Sequence, residues 1–287
     1  MRALIKPRLQ LLLILIAVSC RAQERPYFVT YSHEMEEPGT LEFEFSNAIG
    51  KPPDGNQFLG STLELEYGVK GWWTSEWYLD GQVTQHDSTI FTGYRWENRF
   101  RPLMREHWIN PVLYIEFENI SADKAVREVV GHDGRADFLD PNSEARAEKK
   151  RELEFKLILG SNFRGFNISE NIIAEKNLTN EPWEFGYAWA VSRPLGLVAS
   201  AKNCTLCGEK FQAGIEMYGG LGDRYSFGTH LTSHYLGPSL NWTAPNGLTL
   251  CFSPQFGLND YSLSRIYRFG VSYEIDQFWG RFHRSAK

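Results

Sequence analysis

Alternation of apolar and acidic side chains at every second position is the feature that most limits how this chain can fold. It is clearest in residues 61–79, STLELEYGVKGWWTSEWYL, where leucine, tyrosine and valine alternate with threonine and glutamate. Because successive side chains of a β-strand point to opposite faces, this pattern predicts a strand with one apolar and one acidic face. Lys70-Gly71 predicts a tight turn, since glycine tolerates the positive φ that such turns need, and residues 72–79 repeat the alternation.

Two properties of this hairpin favour a membrane barrel over a soluble, half-buried sheet. The apolar face is large and aromatic near its ends. The opposite face concentrates carboxylates instead of mixing polar groups. This combination is typical of a strand that has lipid outside and water inside a closed barrel.

The same alternation recurs along most of the chain. Further segments with this pattern are residues 41–46, 89–100, 108–119, 151–160, 183–191, 210–218, 229–243, 248–259 and 265–276, and residues 166–178 form a weaker strand that could be partly helical. Together with the hairpin, these segments make about 12 strands, an even number, as bacterial single-chain barrels have. We therefore predict an all-β fold, a transmembrane up-and-down antiparallel β-barrel over residues 40–278.

Residues 120–150 form the longest interruption of the strand pattern. The segment is charged, contains glycine and proline, and could hold short helices near residues 122–130 and 143–150. Outer-membrane barrels commonly carry long external loops and short periplasmic turns. If the first strand runs outward, the turns at residues 70–71 and 245–247 are periplasmic, and residues 120–150 form one long external loop.

The N-terminus has the composition of a secretory signal. Basic residues precede an apolar run at residues 11–19, and a small-residue site near Ala22 predicts a signal peptide of residues 1–22. Lipidation of Cys20 is the alternative. The apolar run is too short to cross a bilayer as a helix. We expect residues 23–39 to form a periplasmic lead-in outside the barrel, and residues 279–287 to form a C-terminal tail.

Charge and cysteine usage exclude several classes of function. The net charge is −5 and no basic block is present, so nucleic acid is not an expected partner. Cys204 and Cys207 predict a disulfide or idle thiols in a periplasmic turn, because a zinc site would need further ligands and no second CxxC exists. Cys251 falls on an inner face as a packed thiol. We expect no cofactor, no metal and no enzyme activity.

The closing segment carries a resemblance to known proteins. Residues 268–278, RFGVSYEIDQF, resemble the C-terminal signal by which outer-membrane proteins are recognised for insertion, although this chain continues to Lys287. With Glu97–Pro102, Gly237–Leu240 and the glutamate-rich strands, the chain resembles a broad family of bacterial outer-membrane barrels described as meta-pathway phenol-degradation or transporter-like proteins. The resemblance implies insertion of the barrel into the bacterial outer membrane by the insertion machinery, contact with outer-membrane lipid, and passage of small molecules.

The predicted inner face is rich in ionisable side chains. Carboxylates at strand spacing must pair with cations, bind ions or shift their pKa upward. The candidate residues of the lumen and solute pathway are Glu42, Glu44, Glu64, Glu66, Glu76, Arg95, Glu97, Arg99, Glu116, Glu118, Glu152, Glu154, Lys156, Glu216, Arg268 and Glu274.

Three hypotheses of function follow from this inner face. The first is a passive channel or transporter for small solutes, either cations or aromatic compounds, that diffuse past an acidic lumen. The second is a non-conducting barrel, stiffened by a Glu–Arg network, that binds a partner through residues 120–150 or the lead-in. The third is an outer-membrane hydrolase, for which His234, Ser239 and Asn241 are the residues to consider.

Overall fold

The structure is a computed structural model that describes residues 27–121, 129–198, 200 and 204–278. Twelve antiparallel strands close into one barrel, in which each strand pairs with its neighbours in sequence and β1 pairs with β12. The strands are β1 (Leu41–Gly50), β2 (Phe58–Lys70), β3 (Trp73–Thr84), β4 (Thr89–Phe100), β5 (Asn110–Ile120), β6 (Lys150–Phe163), β7 (Phe166–Asn177), β8 (Trp183–Pro194), β9 (Phe211–Asp223), β10 (His234–Thr243), β11 (Leu248–Gly257) and β12 (Arg265–Ile275).

The predicted all-β barrel is therefore confirmed, and the segment that could have been partly helical is strand β7. The predicted signal peptide and the C-terminal tail lie outside the described residues. Among the described residues, no helix combines the length and the apolar character needed to cross a membrane.

Apolar side chains face outward and acidic side chains face inward, the reverse of a soluble domain. In β2, Leu63 is 41% exposed and Leu65 is 36% exposed, whereas Glu66, the next residue along, is fully buried. A continuous apolar outer surface of this kind is unfavourable in water and favourable in hydrocarbon. The outer face therefore matches a lipid environment.

Strand β4 departs from the predicted alternation because it contains a bulge. The register against β3 shifts between Asp80 and Gly81, and Gly93 has a φ of +156°. A Cβ atom at Gly93 would lie 2.1 Å from the carbonyl oxygen of Asn119, so only glycine fits. As a result Phe91, which the sequence pattern placed on the inner face, points outward and is 62% exposed.

We call the end of the barrel where β1 begins and β12 ends the terminal end, and the opposite end the far end. The connections at the terminal end are residues 71–72, 101–109, 164–165, 195–210 and 244–247, and those at the far end are residues 51–57, 85–88, 121–149, 178–182, 224–233 and 258–264. Cys204 and Cys207 form a disulfide in the β8–β9 connection, with Cα atoms 5.6 Å apart, whereas Cys251 is a free thiol.

Residues 27–36 lie inside the barrel, whereas we expected residues 23–39 to stand outside it as a lead-in. Tyr27 hydrogen-bonds to β7 and β8, and Tyr31 hydrogen-bonds to β4 and β7, so the segment reaches opposite parts of the wall. His33 is fully buried. The expectation is corrected for the described part of this segment, because its polar groups find partners on the inner wall. We call residues 27–39 the lumen segment.

The long β5–β6 connection folds across the far end. It contains a 3-10 turn at Arg135–Phe138 and one α-helical turn at Asn142–Ala145, which overlaps the predicted helix near residues 143–150. The ring of Phe138 stacks on that of Phe58 in β2, with centroids 4.7 Å apart. The far end of the barrel is thus covered by the chain itself.

Candidate functional site

Nine glutamates form a continuous row across nine neighbouring strands of the inner wall. Each lies directly opposite the next in the hydrogen-bonding register, so their Cβ atoms are about 5 Å apart. In order around the barrel from β12 through β1 to β8, the row is Glu274, Glu42, Glu66, Glu76, Glu97, Glu116, Glu154, Glu175 and Glu184. We call this set the acidic row.

The acidic row climbs from one end of the barrel to the other. Glu42 is the second residue of β1, at the terminal end, and Glu184 is the second residue of β8, at the far end. The climb follows from barrel geometry, because the register runs perpendicular to strands that tilt against the barrel axis. Eight steps of about 4.8 Å give a track of about 38 Å along the wall.

Cations from the same wall neutralise part of this charge. Arg99 is fully buried, and it donates to Glu76 at 2.7 Å and also to Glu66. Arg95 donates to Asp80 at 2.8 Å and to Glu116 at 2.7 Å. Lys156 Nζ lies 3.0 Å from Glu154. These pairs are buried, and each cation is held by more than one wall group.

Two groups of carboxylates are close enough to hold one hard cation. In each group an oxygen of every member lies within 4.8 Å of the others, and oxygen ligands suit calcium or magnesium. The groups are Glu64, Glu66 and Glu76 on one side, and Glu116, Glu118 and Glu154 on the other.

The lumen segment binds the wall through its backbone as well as through side chains. Glu216 of β9 accepts hydrogen bonds from the amides of Val29 at 2.7 Å and Thr30 at 2.6 Å. Asn171 of β7 accepts from the amide of Tyr31 and donates to its carbonyl oxygen. Backbone groups buried in this way need such partners, so the two wall residues anchor the segment.

The wall across the lumen from the Glu–Arg pairs carries an apolar and aromatic cluster. One buried cluster joins side chains of β1, β2, β8, β9, β10 and β12 to Val29 of the lumen segment and to Val129 and Phe138 of the far-end loop. Within it the rings of Tyr218 and Tyr235 stack with centroids 5.3 Å apart. This apolar cluster lies beside buried polar groups of the same wall, among them Glu216 and Arg268.

The predicted pathway residues all lie on inward-facing positions of their strands. Thirteen of the sixteen are no more than 6% exposed, and the other three, Glu42, Glu44 and Glu274, lie partly exposed near the terminal end. The sequence interpretation missed Asp80, Glu175, Tyr78, Tyr114 and Asn171. Alternation placed several of these inward, but only the register shows which of them meet.

The residues considered for a hydrolase do not come together. His234 contacts Tyr187 through Nδ1 at 3.0 Å and Thr232 through Nε2 at 2.9 Å. His234 lies on the outward face of β10, opposite Gly219 of β9. Ser239 is five residues further along β10 and points inward. An odd separation in a strand puts two side chains on opposite faces, so His234 cannot activate Ser239.

No family model matches this chain, and no curated protein matches it. Among solved structures, the chain is similar to an outer-membrane channel from Pseudomonas putida F1, with a TM-score of 0.54 and 8% identity over 84% of this chain and 97% of that one. It is also similar to the KdgM porin, with a TM-score of 0.51 and 8% identity over 81% of this chain and 98% of that one. At this identity the likeness establishes a shared fold, the closed antiparallel barrel of outer-membrane proteins.

Proposed function

We propose that this protein is a passive channel for small solutes in the bacterial outer membrane, with its terminal end in the periplasm. The acidic row is the observation that carries the proposal. A row of carboxylates that runs from one end of the barrel to the other places an acidic group at every level of a solute's path, and Arg95, Arg99 and Lys156 offset only part of that charge. Cations are therefore the favoured solutes, because negative walls raise the local concentration of positive charge.

The described conformation is the closed state of this channel. The lumen segment fills the middle of the barrel, and the β5–β6 connection covers the far end. Solute passage requires the lumen segment to move, and the hydrogen bonds that hold the segment include those to Glu216, Asn171 and Glu97. Displacement of such a segment is an order–disorder switch that leaves the barrel wall intact.

Planar-bilayer recordings of the purified mature protein test this proposal. In a salt gradient we expect current whose reversal potential indicates selectivity for cations. Current with selectivity for anions would contradict the acidic pathway. A complete absence of current, both in the wild type and in a variant with a weakened lumen segment, would contradict the channel itself.

Occupation of the lumen by the chain's own segments favours a second candidate function, a non-conducting barrel that binds a partner. In that case the far-end loop is the exposed surface, and Arg135, Asp140 and Glu144 supply charge for recognition. A partner that co-purifies in equal amounts, together with silent bilayer recordings, would support this candidate over the channel.

The resemblance to the meta-pathway phenol-degradation barrels agrees with the channel proposal. Membership of that family is part of the proposal, as is insertion of the barrel through the C-terminal strand β12. Both rest on the sequence of residues 268–278 and on the shared fold.

A further inference from the structure

An aromatic and cationic patch lies on the outer face of the barrel at its terminal end, over strands β6, β7 and β8. Phe163 is the last residue of β6 and lies directly opposite Phe166, the first residue of β7. Both rings point outward, and each of these residues is 39% exposed. We call the following residues the rim patch: Trp108, Phe163, Arg164, Phe166, Arg193 and Leu197.

Each of the two phenylalanine rings carries an arginine. Cζ of Arg193 lies 4.9 Å from the ring centroid of Phe166, and Cζ of Arg164 lies 5.0 Å from that of Phe163. A ring face attracts a cation at this distance, so each guanidinium group is held against the outer face of the barrel. Because the two rings are partners in the register, they hold two positive charges on neighbouring strands.

The surroundings of these two pairs are apolar. The ring of Trp108 meets that of Phe163 edge to face, with centroids 5.2 Å apart. Leu197 packs on the β6–β7 turn, where a Cβ atom at Gly165 would lie 2.6 Å from the Cδ2 atom of Leu197. Trp108 is 69% exposed and Leu197 is 55% exposed. Exposed aromatic residues at the end of a lipid-facing wall mark the level of the lipid headgroups in outer-membrane barrels.

The described part of the chain supplies no anion for the two arginines. Within that part, neither Arg164 nor Arg193 makes a hydrogen bond or an ion pair. A guanidinium group has five N–H donors, and its fork geometry matches the oxygens of a phosphate. Two such groups at headgroup level therefore present donors that a lipid phosphate can accept from.

The charge of the connecting segments favours an anion at this same end. The connections of the terminal end contain five arginine or lysine residues and two glutamates, whereas those of the far end contain seven basic and eleven acidic residues. The terminal end is thus positive and the far end negative. Anionic lipid is therefore attracted to the end that carries the rim patch.

We propose that the rim patch binds an anionic phospholipid, with its phosphate between Arg164 and Arg193 and its acyl chains along the apolar outer face. A zwitterionic phospholipid is disfavoured, because its ammonium group adds a third positive charge beside the two arginines. With the terminal end in the periplasm, the lipid belongs to the inner leaflet of the outer membrane. Only this choice of leaflet rests on the proposed function, since the site does not depend on solute passage.

Native mass spectrometry of the purified mature protein in detergent tests this proposal, because it counts the lipids bound during a titration. The probes are phosphatidylglycerol and phosphatidylcholine with the same two acyl chains, so that they differ in the headgroup alone. The variant Arg164→Gln/Arg193→Gln removes both cations of the rim patch. Lys70→Gln/Arg105→Gln is the matched control, because it removes two exposed cations at the same end of the barrel but outside the patch.

We expect the wild type to bind phosphatidylglycerol about tenfold more tightly than phosphatidylcholine. Arg164→Gln/Arg193→Gln should lower the affinity for phosphatidylglycerol to that for phosphatidylcholine, and should leave the affinity for phosphatidylcholine unchanged. The control variant should keep the preference of the wild type.

Equal binding of the two lipids by the wild type would overturn the proposal. A preference that survives Arg164→Gln/Arg193→Gln, or that both double variants lose equally, would overturn it too. The comparison of lipids on the wild type changes no residue, so it does not depend on how a substitution affects folding. It also requires no current, so failure of the lipid site and failure of the channel are observed in separate experiments.

Discussion

Asn171 holds Tyr31 by both polar groups of its backbone. The side-chain oxygen of Asn171 accepts from the Tyr31 amide at 2.7 Å, and its side-chain nitrogen donates to the Tyr31 carbonyl oxygen at 2.9 Å. This is the hydrogen-bond pattern of a neighbouring β-strand, made by one fully buried side chain. The lumen segment is thus attached to the wall at Tyr31 through its backbone as well as through its side-chain hydroxyl, which donates to Glu97.

Asn171→Leu should release the lumen segment. Loss of two buried hydrogen bonds at about 1 kcal/mol each raises the ratio of displaced to docked segment by about 30-fold. Release is measured as the rate at which a maleimide labels Thr30→Cys, a buried position, in a Cys251→Ser background. Asn177→Leu is the control, because Asn177 lies on the same strand and bonds to Glu152 instead of the segment. Equal labelling in both variants would rule out anchoring by Asn171.

Neutralising the terminal end of the acidic row should weaken cation selectivity. Glu42 and Glu274 lie opposite each other there and are only partly buried. In the double variant Glu42→Gln/Glu274→Gln, we expect the ratio of cation to anion permeability to fall by about threefold, from loss of two nearby charges in water. Reversal potentials in a salt gradient measure this ratio. The control is Glu209→Gln, on the exposed β8–β9 connection, which should leave the permeability ratio unchanged. An unchanged ratio in the double variant would place the solute path elsewhere.

Arg99→Met should destabilise the barrel strongly. Arg99 contacts Glu66, Glu76 and Glu97, all of them fully buried, and its removal takes a buried positive charge away from three buried carboxylates. Breaking a buried ionic group in this way costs about 3–5 kcal/mol. Equilibrium unfolding in urea with the protein in lipid vesicles measures the free energy of unfolding. The control is Arg105→Met, at an exposed position beside β4, which should change the free energy of unfolding by less than about 0.5 kcal/mol. A similarly small effect of Arg99→Met would show that the network contributes little to stability.

Docking of the lumen segment should weaken as the pH falls from 8 to 6. Burial lowers the pKa of His33 although Glu106 lies 3.1 Å away, so the displaced segment binds a proton more readily than the docked one. This contribution is complete above the ordinary histidine pKa of about 6.5 and is lost below it. Burial raises the pKa of Glu34, which has the opposite effect and favours docking at lower pH.

The same labelling of Thr30→Cys measures this pH dependence, with each rate divided by that of the exposed position Gln85→Cys at the same pH. In the wild-type background the corrected rate should rise on acidification. His33→Gln should abolish the rise and leave only the opposing effect of Glu34. A rise that persists in His33→Gln would assign the pH dependence to another group.

Strand positions and the direction of side chains were predictable because they depend on local alternation. Leu63 and Glu64 illustrate this, since each needs only its immediate neighbours to be assigned to the outer or inner face. Phe91 shows where the rule fails. A one-residue bulge at Gly93 reverses the phase of alternation, and the bulge depends on close approach of Asn119 from the neighbouring strand.

The lumen segment could not have been assigned from its sequence. Residues 27–39 mix aromatic and polar side chains and lack a long strand pattern, which suits a periplasmic extension and a lumen filling equally well. Their location depends on whether Glu216 and Asn171, far away along the chain, stand where the backbone of Val29 and Tyr31 can reach them. The distance across the lumen between these wall residues and the segment follows from the number of strands and their tilt.

Local alternation predicted a closed β-barrel with apolar side chains towards lipid and glutamates towards the interior, because a period of two assigns each side chain of a strand to one of two faces. The folded chain was needed to show that these glutamates form one climbing row and that Tyr31 fills a pocket beside it. Which residues of different strands meet depends on the register, which is set by hydrogen bonding between distant segments and by the shear of the closed sheet, and neither is encoded in local alternation.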